Sequence, residues 1–195
     1  MKSKDGILAL TLRLAVITVC AGLVLGLAYG GTKDLIKQQN LLKAAASRQI
    51  VLPAATDFEE INRSALSADE ELYKNIKHIH RGTANGETVG YVLSITTKGY
   101  SPDLGLTVGI CTSGLVRGVK IDSHGETPGL GANAARPEFL AQYANEGAPF
   151  TVVKIPTGKA GEIEALTGAT ITTNAVTDAV NLSQSFYAQY LREGA

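Results

Sequence analysis

The sequence predicts an α+β domain, an antiparallel sheet flanked by helices, preceded by one N-terminal transmembrane helix. Three observations lead there. Leu14 to Tyr29 is an uncharged apolar run. Two pairs of β-rich segments flank the turn signals Ala84-Asn85-Gly86 and Thr112-Ser113-Gly114. The C-terminal quarter carries a helical apolar stripe, Val176, Ala179, Val180, Phe186, Tyr187, Tyr190 and Leu191.

The apolar run extends back toward Ile7 if Arg13 snorkels to the headgroups. A helix from Leu8 to Tyr29 rises roughly 33 Å, enough to cross a bilayer core of about 30 Å. The run exceeds the apolar core of a signal peptide, although Ala28-Tyr29-Gly30 has a small-x-small pattern, so an uncleaved single-pass anchor is expected. Lys2, Lys4 and Arg13 precede the span and Lys33, Lys37 and Lys43 follow it, a balance that leaves orientation open.

Lys33 to Ile50 reads as a second amphipathic helix, a stalk continuing the first, and ends before Leu52-Pro53. Ala54 to Glu71 is acidic and mixed, with a short helix expected near Ala68–Tyr73. The organisation is then an anchor over 1–30, a stalk helix and linker over 31–70, and a compact domain over 71–195. Within that domain the strands fall at Asn75–Arg81, Glu87–Thr96, Leu104–Cys111 and Leu115–Asp122. A helix over Arg136–Asn145 opens on Pro137. Phe150–Ile155 is a further strand, and a final helix over Ala175–Leu191 is capped by Asn174, Thr173 or Thr172.

Composition excludes several classes. The 195 residues carry 18 basic and 18 acidic side chains, which leaves no nucleic-acid footprint. Two cysteines, Cys20 and Cys111, are too few for a disulfide framework, a zinc site or an iron–sulfur cluster. Redox chemistry in this chain therefore requires an organic cofactor, and no dinucleotide fingerprint is present. His78 and His80 share a strand face without a third ligand nearby, which fits solvent-facing partners on an edge strand better than a metal site.

Two segments carry candidate chemistry. Thr167-Gly168-Ala169-Thr170-Ile171-Thr172-Thr173-Asn174 is hydroxyl-rich and runs into the last helix. A helix start offers free N–H groups and partial positive charge to a phosphate, and Gly168 and Ala169 keep side-chain bulk away from the backbone. The same pattern also describes an ordinary capped helix after a polar turn. His124-Gly125-Glu126-Thr127-Pro128-Gly129-Leu130-Gly131 contains a turn at Thr127-Pro128-Gly129. His124 and Glu126 alone do not close a metal coordination shell. Lys154 and Lys159 precede the first segment and could offset phosphate charge.

Together, Thr167-Gly168-Ala169-Thr170 and the His124–Gly131 segment resemble the two motifs of the FMN-binding domain family, over roughly Gly90 to Val180. The family includes the G subunit of the Rnf electron-transport complex and the C subunit of the sodium-pumping NADH:quinone reductase, whose members tend to be longer. The resemblance implies FMN linked by a phosphoester to Thr170, the last residue of the tetrad. It brings Thr167, Gly168, Ala169, Thr173, His124, Glu126, Thr127, Leu130 and Gly131 toward the flavin and makes 71–195 the flavin domain. Glu164 stands three positions before the tetrad, where the family often has an acid, usually aspartate, read by a flavin transferase. It further implies an electron relay in an ion-translocating ferredoxin:NAD oxidoreductase, with the flavin domain on the extracytoplasmic side of the cell membrane. The implied partners are a second flavinylated membrane subunit, iron–sulfur subunits and integral membrane subunits. Residues alone leave open a non-redox tether or assembly module, and an independent flavoprotein reductase.

Overall fold

The computed structural model describes residues 3–62, 66, 73–147 and 149–192, in two compact units, Met1–Lys43 and Ala44–Ala195. Helix α1 spans Ser3–Val51 without a break, so the two helices predicted on either side of Gly30-Gly31 are one. Helical glycine costs about 1 kcal/mol relative to alanine, too little to interrupt a helix with no proline or cap at that point.

In the first unit α1 exposes its apolar side chains all round: Leu8, Leu12, Val16, Leu23 and Leu27 are each more than half exposed. It is long and apolar enough to cross a membrane. Its threonines suit that setting. Thr11, Thr18 and Thr32 donate their hydroxyls back to the carbonyls of Ile7, Leu14 and Ala28, so none needs water.

The second unit is built on a five-stranded antiparallel sheet in the order β1-β2-β3-β4-β5. The strands are β1 (Asp57–Glu60), β2 (Ile76–Ala84), β3 (Glu87–Thr97), β4 (Leu104–Cys111) and β5 (Val116–Ser123). The hairpins form at the predicted turns, with Asn85 and Gly86 at φ 53° and 84° and Gly114 at 87°. β1 was not expected, because Asp-Phe-Glu-Glu carries no apolar alternation. It is an edge strand whose charges pair across the sheet, Glu59 with Arg81 at 2.6 Å and Glu60 with His78 at 2.7 Å. β2 is thereby an interior strand rather than an edge. The helix expected near Ala68–Tyr73 lies outside the described residues except at Tyr73, which is buried against Phe186.

After the sheet come a 3-10 turn over Gly131–Ala135, helix α2 (Pro137–Leu140) and a second 3-10 turn over Ala141–Tyr143. The helical stretch opens on Pro137, as predicted, but stops short of Asn145, which has φ 62°. Strands β6 (Thr151–Val153) and β7 (Glu162–Glu164) form a small parallel pair. Helix α3 (Thr170–Phe186) closes the chain and continues as a π-turn over Tyr187–Leu191.

Alternation along β3 separates two apolar layers. Tyr91, Leu93 and Ile95 join the main core with Val176, Val180 and Phe186 of α3. Val92 faces the other way, into a small cluster with Val51, Leu52 and Ala55 at the end of α1. Strand glycines open this second face. A Cβ on Gly109 would strike the Val51 carbonyl, and one on Gly82 would lie 2.6 Å from the Leu52 side chain. A polar cluster locks the same place: Ser47 and Thr107 each donate to Asp122 at 2.5 Å, and Lys120 donates to Ser47 at 2.7 Å.

Candidate functional site

The segment after β5 meets the start of α3 around a cavity of about 530 Å³, within the range of small-molecule sites. One wall is Glu126, Thr127, Leu130 and Gly131; the other is Gly168, Ala169, Thr170, Ile171 and Thr172; Tyr100 stands at the rim from the β3–β4 loop.

Each wall follows from local sequence. Thr127-Pro128-Gly129 turns the chain, Gly129 at φ 80°, and the Thr127 carbonyl accepts the N–H groups of Leu130 at 3.1 Å and Ala132 at 3.2 Å. Across the cavity, Gly168 turns at φ 75° and Ala169 N–H donates to the Leu166 carbonyl at 2.9 Å. A Cβ on Gly168 would sit 3.0 Å from the Leu130 side chain, so glycine keeps the two walls in contact distance.

Helix α3 begins earlier than the sequence predicts. Its N-cap is Ala169, with no side-chain cap, instead of Asn174, Thr173 or Thr172. Those threonines are committed elsewhere. Thr173 accepts the Leu166 N–H at 3.1 Å and donates to the Ala169 carbonyl at 3.0 Å; Thr172 donates to Glu126 at 2.7 Å. The consequence is that exposed Thr170 is the first helical residue, at an uncapped helix start whose leading N–H groups have no intrahelical partner. An anion at this position meets both free donors and the positive end of the helix dipole.

Glu126 holds the site together. It is 6% exposed; one carboxylate oxygen accepts Ser101 N–H at 3.1 Å and the other accepts the Thr172 hydroxyl. A buried carboxylate requires such donors. Ser101 also donates its hydroxyl to the Gly125 carbonyl at 2.7 Å. The β3–β4 loop, the turn after β5 and α3 are thus tied through one side chain.

Of the ten residues expected here, seven line the cavity: Glu126, Thr127, Leu130, Gly131, Gly168, Ala169 and Thr170. Thr173 is fully buried behind the wall. Thr167 faces an adjoining groove with Asn133, Arg136, Gln142 and Glu164. His124 is exposed and outside the lining. Lys154 and Lys159 do not line it either. Tyr100, Ile171 and Thr172 were not expected in it. The signal for Tyr100 is an aromatic residue set in the turn-forming run Gly99-Tyr100-Ser101-Pro102, twenty-six residues before Glu126.

The histidines of β2 differ from each other. His78 is exposed and pairs with Glu60. His80 is buried, contrary to the expectation of a solvent-facing edge, because β1 closes that edge and His80 shares the face of Gly82 that Leu52 and Ala55 cover. Burial, reinforced by the nearby Arg48 charge, lowers its pKa to about 4. Among the described residues, no group of three or more His, Cys, Asp or Glu side chains could hold a metal ion.

Residues 99–183 match the FMN-binding domain family. The chain is 36% identical over 188 residues to the G subunit of the Na(+)-translocating ferredoxin:NAD(+) oxidoreductase complex of Acetobacterium woodii, covering 91% of this chain and 90% of that one. It is 28% identical to the G subunit of the proton-translocating ferredoxin:NAD(+) oxidoreductase complex of Clostridium ljungdahlii, covering 92% and 90%. Among solved structures, the C subunit of the Na(+)-translocating NADH-quinone reductase from Parabacteroides distasonis superposes with a TM-score of 0.59 at 16% identity, over 79% of this chain and 94% of that one. That likeness is one of fold.

Proposed function

We propose that this chain, which belongs to the G-subunit family of ion-translocating oxidoreductase complexes, is a membrane-anchored electron carrier with FMN esterified to Thr170. The observation that carries the reading is the position of Thr170: an exposed hydroxyl, first in α3, on the wall of a cavity sized for a small ligand. The residues present fit the group. Uncapped helix N–H groups suit its phosphate, and Leu130 and Ile171 offer apolar surface to a ring system.

When bound, FMN accepts electrons in pairs and releases them singly. The protein's share is to fix and enclose. Thr170 would hold the group as a phosphoester, its hydroxyl losing a proton and its oxygen replacing a leaving group on the phosphorus of the flavin nucleotide, so that occupancy would no longer depend on free cofactor concentration. Glu126 holds Thr172 and Ser101, keeping both walls at their spacing. Thr173 clamps Leu166 against the first turn of α3, which sets where the tetrad ends.

The apolar helix α1 anchors the chain in the cell membrane, with the flavin domain on the extracytoplasmic side, and confinement there raises the flavin's effective concentration near its partners. Those partners are the other subunits of a ferredoxin:NAD oxidoreductase complex: a second flavinylated membrane subunit, iron–sulfur subunits and integral membrane subunits. A flavin transferase acts during maturation, reading the segment that includes Glu164. Identity over nearly the whole length favours the G subunit of that complex over the C subunit of the quinone reductase, for which the support is fold similarity.

Intact-mass analysis and in-gel flavin fluorescence of the full chain co-expressed with a flavin transferase test the attachment. Wild type gains the mass of FMN less water; Thr170→Ala does not and remains folded. Fluorescence retained on Thr170→Ala under denaturing conditions overturns the assignment.

A further inference from the structure

We propose that Tyr100 is a flavin-positioning residue, its ring lying against the isoalloxazine of the group attached at Thr170. This rests on the attachment reading above and adds a contact from a separate loop. Tyr100 is 69% exposed at the cavity rim, and its hydroxyl makes no hydrogen bond among the described residues.

An aromatic ring in that state on a slack loop would mean little, but this loop is pinned. Gly99 N–H donates to the Ser101 carbonyl at 3.1 Å, Ser101 N–H donates to Glu126, and the Ser101 hydroxyl donates to the Gly125 carbonyl. The backbone on both sides of Tyr100 is therefore tied to the cavity wall, and the side chain has only two torsions left to order.

The company it keeps specifies the ligand. Among described residues 44–192, the exposed large apolar side chains are Ile50, Tyr100, Leu115, Leu130, Ile155 and Ile171. Three of them, Tyr100, Leu130 and Ile171, meet at this one cavity. Exposed apolar surface gathered around a concave site marks a ligand with apolar faces, and an aromatic ring held at its mouth matches a planar conjugated one. A fused tricyclic ring, delivered from a phosphate at Thr170, meets that description.

The test uses the full-length chain, loaded by co-expression with the flavin transferase and purified in detergent, with loading read by intact mass. A tyrosine in contact with a flavin quenches its fluorescence by donating an electron to the excited ring, which leucine and phenylalanine cannot do. Tyr100→Leu is expected to lengthen the lifetime of the attached flavin about twofold or more and to change its visible circular dichroism, since both report the ring's immediate surroundings. Tyr100→Phe is expected to lengthen the lifetime while keeping the wild-type dichroism, because the stacking surface remains. A loaded Tyr100→Leu protein with wild-type lifetime and dichroism overturns the contact and leaves the Thr170 attachment standing. Wild-type protein with no mass gain overturns the attachment, and this proposal with it.

Discussion

The hydroxyl of Thr172 donates a 2.7 Å hydrogen bond to the buried carboxylate of Glu126, joining α3 to the turn after β5 across 46 positions of sequence. The second carboxylate oxygen is taken by Ser101 N–H, so both acceptor sites face donors. Glu126→Leu removes both acceptors and leaves the Ser101 N–H and the Thr172 hydroxyl without this partner. It should cost about 1–3 kcal/mol, the penalty for unpaired buried polar groups. In a domain of this size that lowers Tm by about 2–4 °C per kcal/mol. A Glu126→Leu protein melting with wild type would show that the carboxylate is not the tie described.

Thr173 and Thr170 stand in one turn of α3 and should respond oppositely. Thr173→Val keeps the shape but removes the acceptor for Leu166 N–H. Denaturation should show a loss of about 1–2 kcal/mol. Thr170 is exposed, so Thr170→Ala should melt like wild type while losing the flavin. Equal melting of the two variants would refute this division of roles.

Gly109 lies under the backbone of Val51. Gly109→Ala places a methyl against the Val51 carbonyl, and neither strand nor helix end can yield cheaply. Overpacking of this kind costs about 1–3 kcal/mol, read as a lower denaturation midpoint. Gly22→Ala, with open space around the added methyl in α1, is the control and should not lower the midpoint, since alanine is the better helix former.

His80 should make stability depend on pH. Its folded pKa of about 4 lies below the ordinary value of 6.5. Between those values the unfolded chain binds a proton that the folded one excludes, so stability falls as pH drops from 6.5 toward 4. Above 6.5 the residue contributes no slope. His80→Gln should flatten this part of a stability-against-pH curve, and an unchanged slope would mean that the burial of His80 has no bearing on acid sensitivity.

Much of the architecture was legible because its causes are local. Asn85-Gly86 and Ser113-Gly114 admit few backbone conformations, so both hairpins could be read from a few residues. The apolar run of α1 and the stripe of α3 are periodic patterns that need no knowledge of neighbours. Pro53 and Pro137 mark helix ends by sterics alone. β1 and β7 were missed because short charged strands hold their place through partners elsewhere.

The site divides along the same line. By itself the sequence determined that a hydroxyl-rich tetrad precedes a helix and that a glycine-rich turn lies some forty residues earlier, since both are contiguous segments. Only the tertiary structure decided that Thr170 opens the helix, because the capping role depends on what Thr172 and Thr173 bind. It likewise brought Tyr100 to the rim and turned Glu126 into the tie between three segments. Residues far apart in the chain meet through packing, and packing energy is a property of the assembled fold that no window of sequence contains.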